Sequence, residues 1–386
     1  MTHTQTPAGP IKHVVCMVQE NHTTDNYFLS MAAYGANIAT GWQVSPNPPA
    51  IDPPHDRHAY YRWLTQQSTG DHVQFDTTSV LPFYAWLAAS GAFLENHCSG
   101  FGTNSTPNHL LIVGGQSPTL RNPRHNTQPV WDLPSLPGHA QDNGLSWKAY
   151  TGATGYPVEF YQQLKGSANI VRSAKPSQQF LDDAANGSLP TLAMVWHDEP
   201  YDEHPTADVS LGMDAVWQAV DAVVQAGRWD ETVFLLTWDD WGGFDDHVAT
   251  PNVEYAPDGV QLAYGPRVPL LMFGGRVRPG IDSRWCSHVS LPKTALQLLG
   301  LPPLGVPRVD NDGGLADLVD LAGGGGTMPQ PPAYGSQIML PDPPQPTPQP
   351  APLPPSPVAS PKLVDEVILR DGTSLGRPQD VLIRTH

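Results

Sequence analysis

The chain has 386 residues and a formal net charge of −17 at pH 7, which argues against nucleic acid and anionic membrane surfaces as main partners, since both need a basic face. Prolines (43) and glycines (35) dilute the hydrophobic content to 39%, which still allows one large globular core. No apolar run is long enough to predict a membrane span, and the three cysteines lack a zinc-binding spacing. No secretory leader opens the chain, so we expect a cytoplasmic protein, or a secreted or periplasmic one if a leader was removed.

Four apolar runs, each bounded by polar residues or a turn, predict buried strands. They are IKHVVCMVQ before Glu20, Leu189–Trp196 before His197, Thr232–Trp238 before Asp239, and Val268–Gly274. Continuous apolar strands, unlike alternating ones, are typical of a parallel sheet that is buried on both faces.

Amphipathic segments between these runs predict helices. Leu211–Ala226 places apolar residues on one helical face and ends before Gly227, and Leu291–Leu299 is a shorter helix before Gly300. Strands that alternate with helices predict an α/β fold, doubly wound, with a mainly parallel sheet and helices on both faces. In such folds ligands bind at the carboxyl ends of the strands, where the polar residues named above lie.

The composition changes after residue 322. A glycine run and a proline-rich tract at 323–361 predict an extended linker, and residues 362–386 predict two short strands around an Asp-Gly turn. The expected division is therefore a domain at 1–322, a linker at 323–361 and a β-hairpin tail at 362–386. Because two strands alone are marginal in water, we expect the tail to pair with a sheet edge of its own subunit or of a second copy in a homo-oligomer.

Two polar pairs directly follow predicted strands, Glu20-Asn21 and Asp239-Asp240. If the strands are neighbours, three carboxylates and an amide oxygen converge, and the carboxylates repel one another. A divalent cation with oxygen ligands relieves that repulsion, so all four residues are candidate metal ligands. The alternative is that the acids cap helix N-termini, and for either pair alone the two interpretations are equally good.

Other polar residues are candidates for catalysis. Ser105 precedes a Pro-Asn step that opens a predicted helix, where a hydroxyl is either a simple cap or a nucleophile, and Thr106 is the competing hydroxyl. His247 follows the paired glycines of TWDDWGGFDDHV, which indicate backbone close to a ligand. His55 and His204 lie beside acids, and a histidine there can bind metal, contact a phosphoryl oxygen or protonate a leaving group.

An ordered set of motifs resembles one family over about residues 11–302: ENHTTDNYF, LPFYAWLAASGAFLENHCSGFGTNSTPNHLLIVGG, DEHP, TWDDWGGFDDHV, and YGPRVPLLMFGG with SHVSLPKTALQLLGL. It is the phosphoesterase family of bacterial phospholipases C and acid phosphatases, within the alkaline phosphatase superfamily. The resemblance implies that Glu20, Asn21, Asp239 and Asp240 bind the metal and that Ser105 is the nucleophile. It also implies that His204 and His55 contact the phosphate, and His247 matches the family's GG-x-x-DH histidine.

The implied activity is that of a metal-dependent phosphoric ester hydrolase with a phosphoserine intermediate, acid phosphatase-like on phosphomonoesters. The substrate would be a small-molecule or lipid phosphate ester, and the metal's identity is open. The alternatives are a phospholipase C-type phosphodiesterase and a binding module with a decayed site. A sulfatase is disfavoured because no cysteine occupies the nucleophile position. The chain departs from the family in having TNSTPN where phospholipases often carry GPT-x-PN, and Asp-Asp where Asp-Glu is usual.

Overall fold

The computed structural model describes residues 7–45, 51–66, 70–124, 127–173, 176–255, 261–323 and 327–344, together with two short strands of the tail. Within these residues the strands are β1 (His13–Gln19), β2 (Gln43–Ser45), β3 (Val73–Phe75), β4 (Ala92–Leu94), β5 (His97–Cys98), β6 (Trp147–Thr151), β7 (Ile170–Arg172), β8 (Leu192–Trp196), β9 (Thr232–Trp238), β10 (Asn252–Tyr255), β11 (Gln261–Ala263), β12 (Leu270–Phe273), β13 (Gly280–Asp282), β14 (Cys286–Ser287), β15 (Val367–Ile368) and β16 (Ser374–Gly376). The α-helices are α1 (Thr24–Tyr27), α2 (Arg57–Leu64), α3 (Thr77–Val80), α4 (Pro82–Ser90), α5 (Ser105–Gly114), α6 (Leu136–Asp142), α7 (Pro176–Ala185), α8 (Val209–Gln225), α9 (Ser290–Leu299) and α10 (Pro307–Asp310).

A sheet of eight strands organises the fold, in the order β13-β4-β12-β9-β1-β8-β6-β7. β1 pairs in parallel with β8 on one side and with β9 on the other. β6 is parallel to both β8 and β7, so the predicted mainly parallel sheet is confirmed. β12 is the exception, because it runs antiparallel to both β9 and β4. The described part of the chain between β9 and β12 contains no helix, so the chain turns back without a crossover.

Helices cover both faces of this sheet, as predicted. Alternate residues of β1 enter two hydrophobic clusters: Val14, Cys16 and Val18 pack with α5 and α9, whereas Val15 and Met17 pack with α4 and α8. A strand that is buried on both faces has no solvent side, which explains its continuously apolar sequence. Glycines in the left-handed conformation follow the two predicted helices, Gly227 after α8 and Gly300 after α9.

Residues 327–344, which fall inside the predicted linker, lie against the domain. Met328 is buried, and its N–H donates to the carbonyl of Val277 at 3.0 Å. Further along, the Trp217 indole N–H donates to the carbonyl of Pro332 at 2.9 Å. This part of the proline-rich tract therefore follows the surface of the domain instead of extending into solvent.

The tail is described only at β15 and β16, which pair antiparallel with each other. Within the described residues neither strand joins the eight-stranded sheet. The rest of 362–386 lies outside the described residues, so docking of the tail, an oligomer formed through it and the three-part division of the chain stay predictions. Of the helices described, none has the length and apolar character needed to cross a bilayer.

Candidate metal and active site

The four candidate metal ligands lie at the carboxyl edge of the central sheet. The last residues of β1 and β9, Gln19 and Trp238, are partners in the parallel register. The residues that follow them are therefore neighbours. The Asn21 N–H donates to Asp239 Oδ1 at 2.9 Å, although 218 positions separate the two residues in sequence.

The chain turns sharply after β1 because of Asn21, whose φ is +64°. Asparagine tolerates this left-handed region better than most residues. Gly242 packs directly against the turn, and a Cβ on it would lie only 2.2 Å from the Asn21 carbonyl oxygen. The first of the paired glycines therefore allows the two strand ends to approach each other.

Asp240 connects the metal candidates to the candidate nucleophile. Its Oδ1 accepts the Gly242 N–H at 2.8 Å, and its Oδ2 accepts a long hydrogen bond, 3.5 Å, from Ser105 Oγ. Ser105 is the first residue of α5. The Thr106 hydroxyl instead pairs with the Tyr156 hydroxyl at 3.1 Å. Of the two candidate hydroxyls, Ser105 is the one that faces a carboxylate.

Three carboxylates lie here, and the basic side chain that contacts two of them is the buried His109. In the described part of the chain, none of the hydrogen bonds or ion pairs of Glu20, Asp239 and Asp240 involves a lysine or an arginine. Burial, and next the Asp239 charge, raise the pKa of both Glu20 and Asp240. Ionising all three carboxylates therefore costs free energy unless a cation is bound beside them.

The donor atoms fit such a cation. Among the described residues, Asn21 Oδ1 and Asp239 Oδ2 are buried without a hydrogen-bond partner. Buried polar atoms are rarely left unpaired, and carboxylate and amide oxygens are ligands that hard divalent cations prefer. Glu20, His109 and Asp239 also place one possible ligand atom each within 4.8 Å of one another. The arrangement can therefore hold a divalent cation next to Ser105.

His55 and His204 lie beside this group, with ring centroids 6.0 Å apart. Nδ1 of His55 lies 2.8 Å from the carbonyl oxygen two residues earlier, and Nδ1 of His204 lies 2.6 Å from that of the next residue. A carbonyl only accepts, so each Nδ1 carries the proton and each Nε2 is an acceptor; that of His204 is left for a ligand. His55 Nε2 lies 3.3 Å from Asn21 Nδ2. Burial lowers the pKa of His204, but the Glu20 charge, the hydrogen bond to the Pro205 carbonyl and the charges of Asp52 and Asp239 together outweigh burial, and the net shift is upward.

His247 lies in a different cluster. Its Nδ1 lies 2.6 Å from Asp25 Oδ2, and its Nε2 lies 3.0 Å from Asn37 Oδ1. The buried Arg267 completes the cluster with ion pairs to Asp25 (3.1 Å) and Asp246 (2.8 Å). No described contact joins His247 to Ser105 or to the candidate metal ligands. The structure thus gives His247 a pairing with Asp25, and a catalytic role for it stays a prediction.

Glu203 is a buried acid that the sequence analysis did not single out. Its carboxylate accepts four hydrogen bonds, from the side chains of Gln19, Tyr27, Tyr84 and Trp238. Burial raises the pKa of Glu203 to about 7. Two of its donors are the last residues of β1 and β9, so this acid connects the DEHP segment to both strand ends. The sequence feature that could have identified Glu203 was its position in the DEHP motif, directly before His204.

His109 is the second residue that was missed. Its Nε2 lies 2.9 Å from Glu20 Oε1, and its Nδ1 lies 3.0 Å from the indole Nε1 of Trp196, at the end of β8. The ring is fully buried. The available signal was its spacing, because residues four apart share one face of a helix and His109 is four residues after Ser105.

Comparison with known proteins identifies the family. The profile of the Phosphoesterase family matches residues 49–302. The chain belongs to this family. The resemblance inferred from the ordered motifs is thereby confirmed, and the matched region contains Ser105 and the Asp239-Asp240 pair.

Several curated proteins are similar in sequence to this chain. The Non-specific phospholipase C6 of Arabidopsis thaliana is 30% identical over 375 residues, covering 76% of this chain and 69% of that protein. The Non-hemolytic phospholipase C of Burkholderia pseudomallei (strain K96243) is 22% identical over 382 residues, covering 73% and 54%. The chain spans about half the length of some relatives, such as 47% of the Non-specific phospholipase C5 of Arabidopsis thaliana, to which it is 27% identical over 57% of its own length. A solved protein of the alkaline phosphatase superfamily from Vibrio parahaemolyticus is 14% identical, with a TM-score of 0.43, covering 78% of this chain and 70% of that one.

Proposed function

We propose that the protein is a metal-dependent hydrolase of phosphoric esters in which Ser105 is the nucleophile. The observation that carries the proposal is the position of Ser105 Oγ, hydrogen-bonded to Asp240 in a group that contains two buried oxygens without partners. Membership of the Phosphoesterase family supports the reaction class. The fold agrees, since ligands of doubly wound sheets bind at the carboxyl edge.

Glu20, Asn21, Asp239 and Asp240 would hold the cation. When bound, a divalent cation supplies positive charge for the phosphoryl oxygens and lowers the pKa of the serine hydroxyl. The chain orients two of the ligands itself, because backbone N–H groups hold one oxygen of Asp239 and one of Asp240. Asp239 Oδ2 is thereby left for the cation, and Asp240 Oδ2 is turned toward Ser105 Oγ, in the way that surrounding hydrogen bonds orient ligands in other metal sites.

The chemistry then needs two displacements at phosphorus. In the first, Ser105 Oγ bonds to phosphorus, the bond to the leaving alcohol breaks, and the serine proton ends on that alcohol. In the second, water bonds to phosphorus, the bond to Oγ breaks, and serine regains a proton. Ser105 begins α5, so the positive end of the helix dipole favours the negative charge of the phosphoserine. His204, when protonated on Nε2, donates a hydrogen bond to a phosphoryl oxygen. His55 Nε2 instead lies 3.3 Å from the Asn21 amide nitrogen, so His55 orients a metal ligand, and its contact with the phosphate stays a prediction.

The charge of the site favours a phosphodiester over a phosphomonoester at neutral pH. A diester carries one negative charge, whereas a monoester, with a second pKa of about 6, carries nearly two. The described contacts of the candidate site supply no lysine or arginine to balance the second charge. A phospholipase C-type diester is therefore the better match, and the relatives are named phospholipases C. Acid phosphatase-like turnover of monoesters is the second candidate, favoured at acidic pH, where protonation leaves one negative charge.

The test compares a chromogenic diester, bis(p-nitrophenyl) phosphate, with p-nitrophenyl phosphate, with and without a chelator. We expect the wild type to hydrolyse the diester at neutral pH and to stop when the metal is removed. Ser105→Ala should lower kcat by roughly a thousandfold or more, as loss of a nucleophile does in other hydrolases, while the melting temperature is unchanged. Thr106→Ala is the matched control and should stay within a few-fold of wild type.

Each contrary result has a distinct meaning. Activity lost in Thr106→Ala but kept in Ser105→Ala would place the nucleophile one residue later. Turnover that resists the chelator would remove the metal from the proposal. No turnover of either ester by the wild type would overturn the proposal and favour a binding module with a decayed site.

A further inference from the structure

His109 has a buried ring whose two nitrogens have different partners. Nδ1 lies 3.0 Å from the indole Nε1 of Trp196. Nε2 lies 2.9 Å from Glu20 Oε1 and 3.3 Å from Asp239 Oδ2. The ring thus contacts the end of β8 on one side and, on the other, the residues that follow β1 and β9, which are the candidate metal ligands.

The indole of Trp196 fixes where the imidazole proton lies. Indole nitrogen only donates a hydrogen bond, so His109 Nδ1 must accept and carries no proton. The neutral ring then has its proton on Nε2, where it donates to Glu20 Oε1. Asp239 Oδ2, at 3.3 Å, has no hydrogen bond from this proton or from any other described group.

This proton position separates two interpretations of His109. The ligand atoms of Glu20, His109 and Asp239 lie close enough for all three to bind one cation. To bind a metal through Nε2, however, His109 would need its proton on Nδ1. That proton would point at the Trp196 N–H 3.0 Å away, and two donors would face each other.

We infer that His109 is a positioning residue, held by Trp196 as the Nε2–H form, which orients Glu20 toward the metal without binding the metal itself. The inference rests on the proposed function, because it assumes a cation at Glu20 and Asp239. The Nε2–H occupies Oε1 of Glu20 and leaves Oε2 for the cation. Asp239 Oδ2 has no hydrogen bond in the described part of the chain, so each carboxylate keeps one oxygen for the cation.

The first test measures Zn²⁺ affinity by calorimetry, without any turnover. His109→Leu removes the donor and should weaken Zn²⁺ binding by about 10- to 100-fold, the usual effect of losing a group that orients a ligand. His109→Gln keeps an N–H donor at the end of the side chain and should restore most of the affinity. Thr106→Val, on the same helix but paired with Tyr156, is the matched control and should bind Zn²⁺ like wild type.

The second test determines directly which ring nitrogen of His109 carries the proton. Two-bond ¹H–¹⁵N spectra distinguish the two histidine tautomers, and the His109→Gln spectrum identifies the His109 signals. We expect His109 to be the Nε2–H form in metal-free protein and to keep that proton when Zn²⁺ is bound. An Nε2 that loses its proton and shifts to a metal-bound value would make His109 a ligand and overturn the inference.

The outcomes also separate the inference from the function on which it rests. Equal Zn²⁺ affinities of wild type and His109→Leu would overturn the inference alone. Wild-type protein that binds no Zn²⁺ would overturn the proposed metal site and the inference with it. Weaker binding in His109→Leu, rescue in His109→Gln and a retained Nε2–H together support it.

Discussion

At the residue scale, Glu203 shows how one buried acid connects separate parts of the chain. Its carboxylate accepts hydrogen bonds from the last residues of β1 and β9, Gln19 and Trp238. Its backbone has a φ of +69°, and His204 follows directly. Among the described residues, the hydrogen-bond donors of this carboxylate are all neutral.

This acid should make stability depend on pH. The folded-state pKa of Glu203 is raised to about 7, above the ordinary glutamate value of 4.5, by burial. Between these values the folded protein holds a proton that the unfolded chain has lost, so stability is fully present below pH 4.5 and falls as pH rises through 7. Glu203→Gln cannot titrate, and its melting temperature should change less between pH 5 and 8 than that of wild type. Parallel melting curves for the two proteins across this range would contradict the assignment.

At the scale of elements, the site depends on how closely the ends of β1 and β9 approach. Gly242 makes this approach possible, since a Cβ would lie 2.2 Å from the Asn21 carbonyl oxygen. Gly227, after α8, has a similar φ of +71° but has nothing within 4 Å of a Cβ. The two glycines therefore differ in packing and not in backbone strain.

Gly242→Ala should thus cost more than Gly227→Ala. Both variants place alanine in the left-handed region, at about 1 kcal/mol each. In Gly242→Ala the Asn21 turn must also move, which should lower the melting temperature further and weaken Zn²⁺ binding. Gly227→Ala should bind Zn²⁺ like wild type. Calorimetry of unfolding and of Zn²⁺ binding checks both, and equal effects of the two substitutions would show that the strand ends tolerate separation.

The same strand ends show what the sequence could and could not predict. The positions of Glu20 and Asp239 were predictable, because each directly follows an apolar run and parallel strands end at one edge. The contact of His109 with Trp196 was not, since it joins a helix to a third strand and leaves no local pattern. Likewise, the antiparallel direction of β12 could not be predicted, because a short apolar run has the same composition in a parallel and in an antiparallel strand. The direction depends on the connection before the strand.

At the scale of the whole molecule, composition predicted the proline-rich segment but not its contacts. Proline fixes an extended backbone, so extension could be inferred from sequence. Docking depends on two donors of the domain. The buried indole of Trp217 donates to the Pro332 carbonyl and packs edge-to-face with Tyr334, and the Tyr34 hydroxyl donates to the Pro341 carbonyl at 2.6 Å. These donors are distant in sequence from the segment that they hold.

Truncation at two positions should separate the docked segment from the tail. A chain ending at residue 322 loses the buried Met328 and leaves the Trp217 N–H without its carbonyl, at a cost of about 2–4 kcal/mol, so it should melt several degrees below the full chain. A chain ending at residue 344 keeps both contacts and should have the melting temperature of the full chain.

If the tail at 362–386 pairs between subunits, only the full chain should have the mass of an oligomer in light scattering. A 1–322 chain as stable as the full chain would mean that 327–344 contributes nothing to the domain, and equal masses of the full chain and the 1–344 chain would rule out assembly through the tail.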